Sequence, residues 1–418
     1  MEGLPGCCTI HLEVIMKNAF YLWILIVVMT SFTVPAQNDG PTEYVRHYQL
    51  VFGPVDELEP FSVAGLTLNK ALSDVYYRGI SKRLPSGVDK WTGPIWSIFW
   101  TFCTTMYPHD GGHWARAEQV GGKFTMTSFG FPFPVMKMDL PENGPQKNET
   151  LTSIGGFEIN FMMRRRIHMD FYERQYVFAD QLINAFIQDV FYPFYAFVLV
   201  YADPTNPDVW TDTRGDPVEA ALSVYKGFTG REPLMDNGKV DPDLIRQYRE
   251  ATIISLPWTM LNPMFFRSLK AFSAKMSDRY GLMETPWMLG DTRFSWSWGT
   301  HYHSSPLGYE LYLTNYFRIY DKLYTLSLKA GRPYKNLGMN VTIPKIFEKN
   351  RFQMGCTVDA WSQDIFGNGG NIEIDARYRF HRNFDVVLKT GYKSEGYLIG
   401  RRVDDSPLFL AGGSFYFE

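Results

Sequence analysis

Apolar and polar residues alternate along the last third of the chain. In residues 372–380 every even position is apolar, and positions 373, 375, 377 and 379 are charged. A period of two is typical of a β-strand with one apolar and one polar face. The pattern, broken by turn residues, predicts about eight strands in an antiparallel meander. They cover 294–298, 309–319, 324–330, 337–343, 352–360, 372–380, 384–390 and 409–417.

The part of the chain before these strands has a helical pattern. Residues 63–120 and 157–277 read mostly as helix, with a break expected near Pro193, and residues 42–52 and 122–130 could each be a strand. Asp241-Pro242 is typical of a helix start, with Asp as the cap and Pro at the first helical position. The sequence therefore predicts an α+β protein, with a mainly helical domain over 37–285 and an antiparallel β-barrel domain over 286–418.

The N-terminus has the pattern of an export signal. Lys17 precedes an unbroken apolar run over residues 19–29, and Val34-Pro35-Ala36 follows as a cleavage site. A basic segment, a short apolar segment and a small-residue cleavage site make up a secretory signal peptide. We predict that residues 1–36 are removed, with Met1 and Met16 both open as the start. An uncleaved anchor is the alternative, although the run is short for a spanning helix.

Composition and charge narrow the class of protein. The 41 Lys and Arg residues nearly balance the 44 Asp and Glu residues, so the sequence predicts no nucleic-acid partner. Cys103 and Cys356, which remain after cleavage, make neither a disulfide framework nor a Cys-x-x-Cys zinc site. The aromatic fraction of 16% is high and excludes global disorder. Aromatic side chains are favoured where an apolar surface meets water.

The strands with one apolar face fit two kinds of β-domain. In a soluble barrel the apolar face points inward, whereas in an outer-membrane barrel it faces lipid and the charges lie inside. The export signal and the aromatic end of the chain, up to Phe417, favour the second kind. We predict an outer-membrane protein in contact with lipid, with its helical domain on the periplasmic side. A soluble periplasmic α+β protein remains the alternative.

The candidate chemistry lies in His109-Asp-Gly-Gly-His113. Two histidines four residues apart lie on one face of a helix, so both imidazoles can bind one Zn²⁺ ion. In the His-Glu-x-x-His motif the residue after the first histidine is the general base that takes a proton from the zinc-bound water. Asp110 holds that place here, one methylene shorter than Glu.

This segment resembles the zinc helix of site-2-protease-like metallopeptidases. The positions that match are His109, Gly112, His113, Ala117, Gly121 and Phe129-Gly130. It is also similar to exported proteins of Bacteroidota-type bacteria in which a zincin-like helix precedes a C-terminal barrel. The resemblance implies a zinc ion bound by the two histidines and a third ligand supplied downstream. Asp110 in place of Glu departs from the pattern, and Gly111-Gly112 places two glycines inside the predicted helix, where each lowers helix propensity.

Glu158, after Gly155-Gly156, is the first candidate for the third ligand, with Glu173 and Asp180 weaker. A charge at a helix N-terminus is an almost equally good interpretation of Glu158. A second pair, His301 and His303, points to one face of a strand and favours a polar interface over a metal site. We therefore expect a zinc metallopeptidase acting on a peptide or protein substrate. The alternative is an inactive outer-membrane barrel with a structural or transport role.

Overall fold

The computed structural model describes residues 46–85, 87–128, 135–141, 146–200, 205–210, 215–273, 282–284 and 286–417. The predicted export signal, residues 1–36, lies outside these ranges, and so does the Phe129-Gly130 part of the metallopeptidase resemblance.

Seven α-helices occupy the described part of the chain before residue 282. Helix α1 continues into a π-helical turn over Val75–Ile80, and α6 begins as predicted, because the Asp241 side chain accepts a hydrogen bond from the backbone N–H of Asp243. Pro193 lies inside α4. The predicted break in 159–201 comes earlier, where Gln175 adopts a left-handed φ of 64° directly after the helix that ends at Arg174. The helices are α1 (Glu59–Asp74), α2 (Asp89–Gln119), α3 (Gln146–Arg174), α4 (Ala179–Val200), α5 (Asp216–Thr229), α6 (Pro242–Met260) and α7 (Pro263–Ser273).

Within the described residues, no helix combines the length and the apolar character needed to cross a membrane.

A ten-stranded antiparallel sheet forms the other part, in the order β1-β14-β13-β12-β11-β10-β9-β8-β7-β6. Its members are β1 (Arg46–Phe52), β6 (Leu289–Gly290), β7 (Phe294–Ser305), β8 (Gly308–Ile319), β9 (Lys322–Pro333), β10 (Asn336–Lys349), β11 (Phe352–Gln363), β12 (Gly367–His381), β13 (Phe384–Lys393) and β14 (Ser406–Phe417). Two small pairs, β2 (Lys123–Ser128) with β3 (Val135–Asp139) and β4 (Tyr176–Phe178) with β5 (Leu282–Glu284), lie apart from it. The mixed helical and antiparallel architecture is confirmed.

The eight strands expected from alternation correspond to β7–β14. The first strand, β1, comes from the start of the helical part and pairs with the last, Arg46 opposite Phe417. The large sheet therefore includes residues on both sides of position 285. Among the described strands, β1 and β6 each have one neighbour, so these pairings form an open ladder whose closure into a barrel they do not show.

The two faces of the sheet have opposite chemistry. On β12, Ile372 is 51% exposed and Ile374 39%, whereas the intervening Glu373 is 5% exposed. Helices α1 and α3 lie on the polar side, where Glu59 and Glu373 both bind the guanidinium of Arg401. Helices α6 and α7 contact β7, and α1 contacts β1. The polar face of the sheet is thus turned toward the helices, and much of its apolar face is exposed.

Candidate metal centre

Helix α2 brings His109 and His113 together, one helical turn apart. Both are buried, at 4% and 5% exposure. Their Nε2 atoms lie 3.3 Å from each other. The helical prediction for this segment, and the shared face of the two histidines, are therefore confirmed.

The carboxylate beside them belongs to Asp216, in the first turn of α5. Asp216 Oδ2 lies 2.9 Å from His109 Nε2 and 3.4 Å from His113 Nε2. Its side chain keeps 26% of its surface exposed, so the cluster meets solvent on the side of α5. Within the described ranges, these three residues form the group of His and acidic side chains whose ligand atoms converge within 4.8 Å.

The spacing of the three atoms matches a metal site. Zinc binds His nitrogen and carboxylate oxygen at about 2.0–2.2 Å in tetrahedral geometry, which separates neighbouring ligand atoms by about 3.3 Å. The separations of 2.9, 3.3 and 3.4 Å lie around this value. Two imidazoles and one carboxylate also suit zinc as ligand types. The donor set therefore fits Zn²⁺ with three protein ligands.

The second nitrogen of His113 has the partner that a metal ligand requires. Its Nδ1–H donates to the carbonyl oxygen of Thr152 on α3, at 2.7 Å. Metal-binding histidines usually donate their other N–H in this way, which fixes the tautomer and turns Nε2 toward the metal. His109 Nδ1 is buried and has no hydrogen-bond partner within the described residues.

Three glycines, one on α2 and two on α3, let these helices cross closely enough to assemble the site. A Cβ atom on Gly112 would lie 2.1 Å from the carbonyl oxygen of Gly155, and one on Gly155 would lie 2.4 Å from that of Gly112. A Cβ atom on Gly156 would meet the His109 ring at 2.4 Å. Gly112, Gly155 and Gly156, which cost helix propensity, are therefore needed for the contact between the backbones and for the position of the His109 ring.

The electrostatics of the cluster favour charge on both kinds of group. Burial alone would raise the pKa of Asp216, but the charge of His113 and hydrogen bonds from both histidines hold it well below its usual value. Burial alone would lower the pKa of His113, but Asp216 outweighs it and raises the pKa to about 9. Burial raises the pKa of Asp110 to about 6, against the opposing charges of the two histidines.

Glu158 does not join the histidines, which corrects the third-ligand prediction. It lies within α3, not in its first turn, and its carboxylate binds the guanidinium of Arg116, with Nε at 2.8 Å from Oε1. It also accepts the backbone N–H of Gly400 at 2.9 Å. Both side chains of this pair are fully buried. Glu158 does lie on α3, the helix that crosses α2, but its carboxylate is turned toward Arg116 and Gly400 and away from the histidines.

The two weaker candidates are also paired elsewhere. Glu173 lies 3.7 Å from Lys345, and Asp180 accepts two hydrogen bonds from Arg46 at 2.9 Å. The residue that the sequence reasoning missed is Asp216. Its signal was present, because Asp216-Pro217 repeats the Asp-Pro helix-start pattern of Asp241-Pro242, although here Gly215 is the cap and Asp216 is the first helical residue.

His301 and His303 occupy a different environment on β7. His303 Nε2 is hydrogen-bonded to the Tyr397 hydroxyl at 2.8 Å, while both ring nitrogens of His301 are buried without a partner among the residues described. The ring of His301 instead lies against those of Phe161 and His168. The pair is thus embedded between helix α3 and the sheet, and no carboxylate of the described residues completes a metal site there.

No protein-family model matches the chain, and neither curated proteins nor solved structures provide a similar protein or fold.

Proposed function

We propose that the chain is an exported zinc hydrolase of the metallopeptidase type, embedded in the outer membrane. The observation that carries the catalytic part is the convergence of His109, His113 and Asp216 at the spacing of tetrahedral zinc ligands. Asp216 replaces Glu158 as the proposed third ligand. Peptide-bond hydrolysis is the reaction implied by the resemblance of the α2 segment to metallopeptidases.

Three protein ligands leave one position of a tetrahedron for water or substrate, which is typical of catalytic zinc sites. Zinc, when bound, supplies Lewis acidity and lowers the pKa of a coordinated water. His113 is held by Thr152, and His109 is held over Gly156, so the two imidazoles are fixed before any ligand arrives. Asp110 follows His109 and interacts electrostatically with both histidines and Asp216. We assign it the removal of a proton from the attacking water.

The membrane part of the proposal rests on the exposed face of the sheet. Apolar side chains occupy the outward positions of neighbouring strands, while the inward positions of β9–β12 carry mainly charged, hydroxyl and amide groups. This is the arrangement of a lipid-facing sheet with a polar interior. The exposed apolar residues on this face include Leu328, Leu337, Met339, Val341, Val358, Ile372, Ile374, Val386, Leu388 and Phe409.

One observation favours the second candidate, an inactive outer-membrane protein. Asp216 already hydrogen-bonds His109 at 2.9 Å and forms an ion pair with His113. A His–Asp–His cluster whose polar groups pair with one another can join α2 to α5 without a metal. Asp110 in place of Glu is consistent with the same view.

The zinc content of the purified protein distinguishes a metal site from a cluster held together by its own hydrogen bonds and ion pair. We expect the purified full-length protein to hold about one zinc per chain, and the Asp216→Asn and His113→Ala variants to lose affinity on the order of 100-fold or more. His303→Ala is the matched control and should retain zinc. A wild-type protein without zinc, or zinc retained in both site variants, would exclude the centre. Peptidase activity that Asp110→Asn abolishes, with zinc retained, would assign the hydrolase.

A lysine on the exposed face of the sheet tests the membrane part. Ile374→Lys should cost about 2–4 kcal/mol near the bilayer midplane, because a charge then enters hydrocarbon. On a face exposed to water the same change stays within about 0.5 kcal/mol. Unfolding in lipid vesicles measures the difference, with the exposed Lys322→Gln as control. A change below about 0.5 kcal/mol, or release of the protein by a carbonate wash, would exclude insertion.

A further inference from the structure

A polar cavity of about 270 Å³ lies between helices α1 and α3 and the inner face of the sheet. It is separate from the metal centre, because His109, His113 and Asp216 are not among its lining residues. Its volume approaches the lower end of small-ligand sites, about 300 Å³. The lining contains basic, acidic and amide side chains from α1, α3 and strands β9–β13.

Most charges in the wall neutralise one another. Glu59 accepts hydrogen bonds from Arg166, Lys389 and Arg401, at 2.7–3.0 Å. Glu373 binds Arg401 as well, at 2.6 and 2.8 Å. These pairs form a closed network at one side of the cavity, and none of their groups needs a ligand.

Arg165 departs from this pattern. Its neighbours in sequence are paired with carboxylates, Arg164 with Asp189 at 2.8 Å and Arg166 with Glu59 at 2.9 Å. The Arg165 guanidinium instead donates one hydrogen bond to the neutral amide oxygen of Asn340, at 2.6 Å. No carboxylate of the described residues lies within ion-pair distance of it. Its remaining N–H groups are available in the cavity that it lines.

Lys329 is the second cation of the cavity, with one long ion pair and no hydrogen-bond acceptor among the described residues. Its side chain is 6% exposed, and its Nζ has no hydrogen-bond acceptor among the residues that the structure describes. The nearest carboxylate oxygen, on Glu310, is 3.6 Å away and is engaged by Asn336. A buried ammonium group carries three donors and is costly without acceptors. Lys329 lines the same cavity as Arg165.

Asp359 is the matching anion. Its two oxygens accept hydrogen bonds from the amides of Asn340 and Asn371, at 2.7 and 2.9 Å. Within the described part of the chain it has no cation at ion-pair distance, and it is 8% exposed. Asn340 thus stands between Arg165, which donates to its oxygen, and Asp359, which accepts from its nitrogen. A cation and an anion are kept apart by one amide side chain.

We propose that this cavity binds a small zwitterion of the amino-acid class. Its carboxylate would take the free donors of Arg165 and Lys329, and its ammonium group would take Asp359. A simple anion would satisfy the two cations but would leave a carboxylate beside Asp359, which is unfavourable. A simple cation would meet the reverse problem. The site is independent of the proposed zinc chemistry, so either can fail without the other.

Ligand-observed NMR on the full-length protein tests the site with L-alanine, propionate and ethylammonium as matched probes. We expect L-alanine to bind, and the other two to bind at least about ten-fold more weakly, because each leaves one charged group unpaired. Equal binding of propionate and L-alanine, or no binding of L-alanine at millimolar concentration, would overturn the proposal.

Variants identify the groups involved. Arg165→Gln should weaken L-alanine binding about ten-fold or more, with Arg165→Lys in between, while the exposed Arg351→Gln serves as the matched control. Asp359→Asn should reverse the preference, so that propionate binds better than L-alanine. Circular dichroism checks that each variant is folded. Binding of L-alanine that is unchanged in both Arg165→Gln and Asp359→Asn would contradict the assignment.

Discussion

The molecule contains two buried pairs of histidines that are close in sequence, and their electrostatic surroundings are opposite. His109 and His113 face the carboxylate of Asp216. The charged groups that act on His303 are cations, Arg164, Lys329 and Arg116. A divalent metal is attracted to the first environment and repelled from the second. Spacing alone therefore does not make a histidine pair a metal site.

The difference comes from residues far away in sequence. Asp216 lies 107 positions after His109 and reaches the two histidines from the first turn of α5. Beside His303, the helix that crosses the strand presents Arg164, whose guanidinium is used by Asp189. At the first pair, the N-terminal end of the α5 dipole also favours the negative charge of Asp216. The same fold thus supplies a carboxylate to one pair and a guanidinium to the other.

The largest expected effect is a loss of unfolding free energy in Glu158→Gln, a variant that tests whether Glu158 belongs to the metal centre. Glu158→Gln leaves the fully buried Arg116 guanidinium without its carboxylate, and breaking such a pair typically costs about 3–5 kcal/mol. Unfolding of the purified protein by urea measures this loss. Zinc per folded chain should stay at the wild-type value, because Asp216 supplies the third ligand. Loss of zinc with little loss of stability would return Glu158 to the metal site.

A smaller effect is expected at the seat of His109. In Gly156→Ala the new Cβ lies 2.4 Å from the imidazole, so the ring must move away from its position beside Asp216. We expect zinc affinity to fall about 10–100-fold, as for changes that disturb the orientation of a ligand. Competition with a zinc chelator measures the affinity. Gly79→Ala is the control, since a Cβ there meets nothing within 4 Å.

The sequence predicted those parts of the fold that depend on local patterns. Strands β7–β14 follow from alternation, and α6 follows from Asp241-Pro242. The pairing of β1 with β14 could not be derived, because it joins Arg46 to Phe417 across almost the whole described chain. Alternation shows that a strand has two different faces, and it leaves open which one the rest of the molecule covers.

The metal centre was predictable in the same limited way. Helical spacing brings His109 and His113 to one face, but any of several acidic residues downstream could have completed the site. Glu158 instead forms an ion pair with Arg116, which lies on α2 only three positions after His113. The sequence shows Gly112 only as a cost to the α2 helix, because its contact with Gly155 exists only once α2 and α3 cross. Tertiary contacts decided both points.

The smallest expected effect concerns the second histidine pair. Both ring nitrogens of His301 are buried without a partner within the described residues, so the imidazole loses its water contacts in folding and gains no hydrogen bond there. His301→Phe keeps an aromatic ring of similar size beside Phe161 and His168. We expect a change in unfolding free energy below about 1.5 kcal/mol, and unaltered zinc content. His303→Phe is the contrasting variant, because it removes the hydrogen bond to Tyr397 and leaves that buried hydroxyl unsatisfied, at a cost of about 1–3 kcal/mol. A larger loss of unfolding free energy for His301→Phe than for His303→Phe, or a fall in bound zinc, would mean that the histidines of β7 also hold a ligand. The two pairs would then differ less than their electrostatic surroundings indicate.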